Sequence, residues 1–190
     1  FTVTVPTTND SIDESDESID LTVGGVAATG TIEDNDAAPT IGSVTSESET
    51  EGTDLVHTVT LTNESAVATT FSFVLAGDTA AITDFTNPPT FSNGVTLSGG
   101  DITVPAGVTS FSVTVPTTND TIDESDESVD LTVGGVAATG TIEDNDAAPT
   151  ISSVTSESET EGTDLVHTVT LTNESAVATT FSFVLAGDTA

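Results

Sequence analysis

The chain has 190 residues, of which 32 are Asp or Glu and none is Lys or Arg, so its formal charge at neutral pH is -32. Without cationic side chains there is nothing to hold a phosphate backbone, so we expect no nucleic-acid partner. The same charge opposes contact with an anionic membrane, and no apolar run approaches the roughly 20 residues that span a bilayer. Cysteine is also absent, which excludes disulfides and thiolate metal sites.

The rest of the composition favours a folded, all-β chain over a disordered one. Hydrophobic residues make up 35% of the sequence, and Thr and Val are abundant. Acidic disordered segments are poor in β-branched residues, whereas these residues suit a pleated, half-buried surface. We therefore expect a strongly anionic β-structure that needs positive charge from outside the chain.

Alternation of apolar and polar residues with a period of two predicts short strands, separated by turns that contain Gly, Pro, Asn and Asp. In chain order, the predicted strands of the central unit are residues 41–45, 55–61, 70–75, 91–97, 101–104, 109–115, 128–133 and 136–142. In the second of these strands, Leu55, His57, Val59 and Leu61 share the inward face. Seven or eight strands in a unit of this size are typical of a two-sheet antiparallel β-sandwich.

An internal repeat divides the chain. Residues 1–80 align without gaps to residues 111–190, at an offset of 110, and differ at four positions. A period this long suits a whole domain rather than a solenoid repeat, and Pro after small residues marks each joint. We predict that residues 1–38 are the C-terminal part of one repeat, 39–148 a complete repeat, and 149–190 the N-terminal part of the next. Neither partial segment buries enough surface to fold alone.

The carboxylates are concentrated in loops and at predicted strand ends. They lie in residues 120–130 and 143–146, in the run 47–51, and in the loop after the third strand. With no Lys or Arg to pair with, packed carboxylates either take up protons or bind a cation. Oxygen ligands at this density favour calcium over zinc, and magnesium and manganese are less suited to them. The alternative is that these acids form a solvated surface that keeps the chain soluble.

Catalytic motifs are not evident, so we expect no enzyme. His57 and His167 fall on the inward face of a strand, where a lone His is usually a core residue. No nucleophile elbow is identifiable. A carboxylate pair of the glycosidase type needs a cleft lined by aromatic residues, but the only aromatic residues are eight Phe, mostly at inward positions.

Two acidic segments carry a resemblance to a known family. Residues 119–133 resemble the second half of a Calx-β domain, and residues 138–146 resemble its closing strand and acidic terminus. Glu51-Gly52, followed by residues 55–61, resembles the opening of that domain. Near-identical tandem units without Lys or Arg further resemble the extender repeats of giant bacterial surface adhesins of the RTX or large-adhesion-protein group.

The resemblance implies a calcium site at one end of the sandwich. Carried over to this chain, its ligands in the complete repeat are Glu51, Asp84, Asp120, Asp123, Glu124, Glu127, Asp144 and Asp146. The corresponding residues of the first segment are Asp10, Asp13, Glu14, Glu17, Asp34 and Asp36, and the third segment keeps Glu161. Asn145 stands where the family often has a third terminal Asp.

The leading hypothesis is therefore a structural extender, secreted to the bacterial cell surface, whose repeats are stiffened by calcium and project a distal binding domain. Its partners would be calcium ions and the neighbouring repeats. One alternative is a subunit that self-associates into an extracellular filament by strand exchange between chains. Another alternative is a module that binds a glycan or a protein directly, although near-identical repeats offer little loop variety for recognition.

Overall fold

The structure, a computed structural model, describes residues 1–187. It is all-β, with strands β1 Glu17–Val23, β2 Val26–Ile32, β3 Ile41–Val44, β4 Glu47–Thr50, β5 Leu55–Leu61, β6 Thr69–Gly77, β7 Thr90–Phe91, β8 Thr96–Ser98, β9 Asp101–Val104, β10 Ser110–Val115, β11 Glu127–Val133, β12 Val136–Glu143, β13 Ile151–Val154 and β14 Val169–Leu171. No helix long and apolar enough to cross a membrane occurs within residues 1–187.

The central part of the chain forms two sheets. One has the order β3-β5-β10-β7, and the other has the order β4-β12-β11-β6-β9-β8. Neighbouring strands are antiparallel, except that β4 runs parallel to β12. The inward side chains of both sheets form one hydrophobic core, in which Phe73 and Phe91 meet edge to face across the sheets with ring centroids 5.2 Å apart. The predicted two-sheet β-sandwich is confirmed.

Strand β5 shows how the sequence pattern produces this core. Leu55, His57, Val59 and Leu61 are buried, and the residues between them are exposed. Each Leu or Val buried in this way stabilises the fold by about 1.5–3 kcal/mol. His57 is 0% exposed, and its Nδ1 lies 2.8 Å from the carbonyl oxygen of Thr45. Since that oxygen only accepts, Nδ1 carries the proton and donates it.

The complete repeat has ten strands, two more than the eight predicted. The first addition is β4, which has no apolar residue and lies in the acidic run 47–51, where the sequence predicts no strand. The second arises because the predicted strand 91–97 is divided into β7 and β8. Asn93 and Gly94 have positive φ values of 55° and 73° and form a turn between the two strands. A sheet strand cannot continue through two residues in the left-handed region.

The buried core extends from Ile41 to Ile142, within the range 39–148 predicted as one complete repeat. The first segment contributes the hairpin of β1 and β2, and the third contributes the pair β13 and β14. Apolar side chains of these two pairs, such as Val26 and Val169, are exposed. The boundaries themselves stay predictions.

Candidate metal centre

Strand pairing brings residues from distant parts of the sequence to one end of the sandwich. In the parallel ladder of β4 and β12, Thr50 is the partner of Glu143, so Glu51 and Asp144 leave the sheet side by side. The backbone N–H of Glu51 continues the ladder by donating to the carbonyl oxygen of Glu143 over 3.0 Å. On the other side of β12, Glu127 begins β11 as the partner of Ile142.

Backbone contacts hold the loop between β6 and β7 against this end. Phe85 forms an isolated bridge with Thr117, and the N–H of Thr118 donates to the carbonyl oxygen of Asp84 over 2.8 Å. The Asp84 carboxylate accepts a hydrogen bond from the N–H of Ala81 over 2.6 Å. Phe85, 4% exposed, is buried in the core directly beside Asp84. The loop is therefore anchored on both sides of the carboxylate that it presents.

The loop between β10 and β11, which we call the acidic loop (residues 116–126), is organised by its own side chains. Asp120 Oδ1 accepts a hydrogen bond from the N–H of Ile122 over 2.8 Å. Asn119 Oδ1 accepts one from Asn145 Nδ2 over 3.0 Å, which ties the loop to the segment after β12. Asp126 Oδ1 accepts from the N–H of Asp144 over 3.2 Å. The acidic loop and the segment after β12 (residues 144–148), which we call the terminal segment, thus form one connected surface.

Together these elements build a compact group of carboxylates. Among the described residues, Glu51, Asp144 and Asp146 place one oxygen each within 4.8 Å of one another, and Asp84, Glu124 and Glu127 do the same. A small pocket between the two triads is lined by Glu51, Asp84, Thr118, Asp120, Glu124, Ser125, Glu127, Ile142 and Asp144. We call the two triads together with Asp120 the carboxylate cluster.

The carboxylate cluster has no countercharge within the chain, since the sequence has no Lys or Arg. Glu51 is only 8% exposed, and its Oε1 has no hydrogen-bond partner among the described residues. The same holds for Asp144 Oδ1 and Asp146 Oδ2. Buried carboxylate oxygens without a partner are costly, and positive charge placed beside these three oxygens would offset that cost.

Burial and crowding raise the proton affinity of the cluster. Burial, together with the adjacent carboxyl of Asp84, raises the pKa of Glu127 to about 7. Burial is also the main reason that the pKa of Glu51 is raised, and the neighbouring carboxyl of Asp146 adds to the effect. The pKa of Glu124 is raised by burial and then by repulsion from Asp120. Protons therefore compete with any cation for these oxygens.

The donor set fits a hard divalent cation. It consists of carboxylate oxygens on several separate loops, a type of site that suits calcium, which takes six to eight oxygens in flexible geometry. It contains no nitrogen or sulfur, the ligands that zinc prefers. His57 does not belong to it, because its ring is buried in the core with Nδ1 bound to the Thr45 carbonyl.

Of the eight residues predicted as ligands in the complete repeat, the structure brings seven together and places the eighth elsewhere. Asp123 is 7% exposed and faces the next segment, where Ser175 Oγ donates to its Oδ2 over 2.5 Å. Its backbone forms a parallel bridge with Ser175. Asp123 therefore belongs to the joint between repeats, although it lies in the same acidic run as Asp120 and Glu124.

The first segment repeats part of this arrangement. Asp10, Glu14, Glu17 and Asp34 line one open depression, and repulsion from Asp10 is the main cause that raises the pKa of Glu14. Asp13, like Asp123, accepts a hydrogen bond from a serine of the following repeat.

Two further predicted ligands lie outside that depression. The N–H of Asp36 lies 3.4 Å from Asp34 Oδ1. In the third segment, Glu161 is exposed.

The serines that bind Asp13 and Asp123 were not predicted. Ser65 and Ser175 follow an Asn-Glu pair, a sequence that carries no sign of a joint between domains. Only a search for polar residues that recur at the 110-residue spacing and flank the linkers could have indicated them. Because nearly every residue of these near-identical repeats recurs, that signal has little power.

The structure contains one β-sandwich within a sequence that repeats at a spacing of 110 residues, and the carboxylate cluster lies at one end of that sandwich. No protein-family model matches the chain, and no curated protein matches it.

Two solved structures show a weak likeness. CaCohA2 from Clostridium acetobutylicum is 13% identical, covers 55% of this chain and 90% of its own, and gives a TM-score of 0.30. The sixth cohesin of scaffoldin B from Acetivibrio cellulolyticus, solved with a Cel5 dockerin mutant, is 14% identical, covers 57% of this chain and 100% of its own, and gives a TM-score of 0.26. Scores this low support no inference, so the sandwich assignment rests on the chain's own sheets.

Proposed function

We propose that the chain is an extender segment of a secreted bacterial cell-surface adhesin, a non-catalytic stalk whose repeats are made rigid by calcium. The observation that carries this proposal is the buried carboxylate of Glu51, whose Oε1 has no hydrogen-bond partner, inside a cluster without countercharge. Its neighbours Asp144 and Asp146 belong to the segment that leads into the next repeat. A cation bound there joins the body of one repeat to the connection with the following one.

Two groups of residues would hold calcium. Glu51, Asp144 and Asp146 form one group, and Asp84, Glu124 and Glu127 form the other. Asp120 borders the pocket between them. Bound calcium supplies the positive charge that the chain lacks. The carboxylates of the acidic loop and of the terminal segment are then attracted to the calcium ions, which offsets their repulsion of one another.

Calcium binding by these carboxylates would also couple folding to export from the cell. Where free calcium is scarce, mutual repulsion of the carboxylates opposes the folded state. Outside the cell, a calcium concentration about 100 times the dissociation constant stabilises the folded state by about 2.7 kcal/mol per site. The chain would then become rigid only after secretion.

Reach would come from the number of repeats. Strands rise roughly 3.3 Å per residue, so each sandwich with its loops adds about 40 Å along the stalk. Nearly identical repeats suit this role, because a spacer needs uniform joints rather than varied binding loops.

Two measurements on the chain test the proposal. Thermal unfolding is followed by circular dichroism in calcium-free buffer, in millimolar calcium and in millimolar magnesium, and small-angle scattering is recorded under the same conditions. We expect a large rise in melting temperature with calcium, a smaller one with magnesium, and an extended particle of defined length in calcium. An unchanged melting temperature would show that the cluster is a solvated surface, and a particle that stays flexible in calcium would refute the stalk.

A further inference from the structure

Asp123 of the acidic loop binds the following repeat through its backbone and its side chain. The N–H of Asp123 donates to the carbonyl oxygen of Glu174 over 3.2 Å, and the N–H of Ala176 donates to the carbonyl oxygen of Asp123 over 2.9 Å. Ser175 Oγ donates to Asp123 Oδ2 over 2.5 Å, a length typical of a hydroxyl bound to a charged carboxylate. Three hydrogen bonds therefore converge on Asp123.

The linker itself carries the other attachment point of this joint. Asn173 Nδ2 donates to the carbonyl oxygen of Ala147 over 2.8 Å. Two domains joined by a single covalent connection move relative to each other by default. Attachment at both Asp123 and Ala147 restricts this freedom, because the following repeat is held at one point in the acidic loop and at a second point on the linker.

The preceding joint has the same contacts at the 110-residue offset. Ser65 Oγ donates to Asp13 Oδ2 over 2.5 Å, and the N–H of Ala66 donates to the carbonyl oxygen of Asp13 over 2.8 Å. Asn63 Nδ2 donates to the carbonyl oxygen of Ala37 over 2.8 Å. Ser65, in the complete repeat, is 4% exposed. Two joints in one chain thus use one set of contacts.

Both attachment points lie directly beside members of the carboxylate cluster. Asp123 precedes Glu124, and Ala147 follows Asp146. Asp120 fixes the backbone on the other side of Asp123 through its hydrogen bond with the N–H of Ile122. The carboxylates of the cluster separate when the acidic loop or the terminal segment moves. Such a movement therefore also displaces Asp123 and Ala147.

We propose that Asp123 and Ser175 form a latch that holds consecutive repeats in one orientation, with Asn173 and Ala147 as its second anchor, and that the latch closes when the carboxylate cluster is neutralised. Its partner is the next copy of the repeat, which must present the Asn and Ser of the loop 173–175. The latch itself stands on the contacts above, and only its dependence on calcium rests on the proposed function.

Amide hydrogen exchange by NMR on the chain reads the two joints separately. We expect the N–H groups of Ala66 and Ala176 to exchange slowly in calcium and quickly in calcium-free buffer. In Ser175→Ala, Ala176 exchanges quickly even in calcium, whereas Ala66 in the intact first joint stays protected and serves as an internal control. Ser65→Ala gives the reverse pattern. Ser158→Ala, an exposed serine outside both anchors, changes neither.

A distance measurement tests the orientation. The chain has no cysteine, so a Thr139→Cys, Thr170→Cys double variant takes spin labels only at these two exposed positions, on either side of the second joint. We expect a narrow distance distribution in calcium. Addition of Ser175→Ala broadens it to the width found without calcium, while the calcium-dependent rise in melting temperature is retained.

Several outcomes would overturn the inference. Continued protection of Ala176 in both Ser175→Ala and Asp123→Ala would show that these side chains do not hold the joint. Equal protection of Ala176 in the wild-type chain with and without calcium would refute the coupling and leave the latch. If calcium did not change the melting temperature, the proposed function would fail, and loss of Ala176 protection in Ser175→Ala, in whichever buffer the wild-type chain shows protection, would still decide whether the latch exists.

Discussion

The carboxyl group of Glu51 lies beside that of Asp146, within 4.8 Å, although the two residues stand at opposite ends of the complete repeat. The parallel pairing of Thr50 with Glu143 causes this approach, because β4 and β12 end together and release their following residues at the same point. Two carboxyl groups this close repel each other when both are charged, and a proton or a cation relieves the repulsion. Under the proposed function, calcium neutralises this pair and holds the segment after β12 against the sandwich.

Replacement of the buried glutamate tests this relationship. In Glu51→Gln we expect calcium affinity to fall by about tenfold or more, which corresponds to about 1.4 kcal/mol, because calcium affinity depends on the number of charged ligands. In calcium-free buffer the variant is more stable than the wild-type chain, since one buried negative charge is removed. Calorimetric titration and denaturant unfolding measure the two effects.

The control for this variant is Asp130→Asn, which removes the same charge from an exposed position on β11. It leaves calcium affinity close to that of the wild-type chain. If both variants lost affinity equally, the general charge of the protein would explain the effect, and Glu51 would not be a ligand.

The raised pKa of Glu127, about 7, predicts opposite pH responses with and without calcium. In calcium-free buffer the folded chain binds more protons than the unfolded chain between the ordinary Glu pKa and 7, so the free energy of unfolding decreases as the pH rises through this window. With calcium, deprotonation frees the ligand, so calcium affinity increases from pH 6 to pH 8 and binding releases protons.

Denaturant unfolding at pH 5, 6, 7 and 8, together with titrations in buffers of different ionisation enthalpy, measures both responses. Glu127→Gln flattens the calcium-free profile. A calcium-free stability that rose from pH 5 to pH 8 would contradict the assignment of a raised pKa to this group.

Much of the sandwich could be predicted because burial on one face leaves a period of two in the sequence. Leu55 to Leu61 is buried at alternate positions as predicted. Strand β4 was not predicted, because Glu47–Thr50 has no apolar residue. Its position depends on a parallel ladder with β12, which a local sequence pattern cannot indicate.

The candidate site shows the same division. Acid density predicts that carboxylates gather in loops, the family resemblance selects individual ligands, and the structure places Glu51, Asp84 and Asp144 around one pocket. The density of acidic residues in the sequence does not indicate which way each side chain points, however. Asp120 and Asp123 are three positions apart in one loop, and only the packing of the following repeat turns Asp123 towards Ser175. Contacts between domains depend on how one repeat packs against the next, and a single sequence does not predict that packing.

A core glycine gives a prediction about stability. A Cβ at Gly140 on β12 would lie 2.7 Å from Leu55 Cδ1 and 2.9 Å from Val129 Cγ2. Extra volume in a packed core costs about 1–3 kcal/mol, so Gly140→Ala lowers the free energy of unfolding by about that amount. Gly30→Ala is the matched control, because the same residue in the first segment has only Ile19 O nearby, at 4.0 Å. Denaturant unfolding should separate the two variants; equal stabilities would contradict the packing described here.

A glycine beside the carboxylate cluster gives a prediction about binding. Gly52 has a φ of +79°, and a Cβ there would lie 2.8 Å from Cβ of Asn119, the residue that begins the acidic run. Gly52→Ala must displace Asn119, which also accepts the hydrogen bond from Asn145. We therefore expect weaker calcium binding in addition to a loss of stability.

The control for Gly52→Ala is Gly162→Ala, which has a similar backbone strain at φ +94° but no atom within 4 Å of the added Cβ. Both variants place an L residue in the left-handed region at a cost of about 1 kcal/mol or more. Only Gly52→Ala should also reduce calcium affinity, measured by calorimetric titration. Equal affinities in the two variants would show that the position of Asn119 does not matter for the site, and that the terminal segment is held by other contacts.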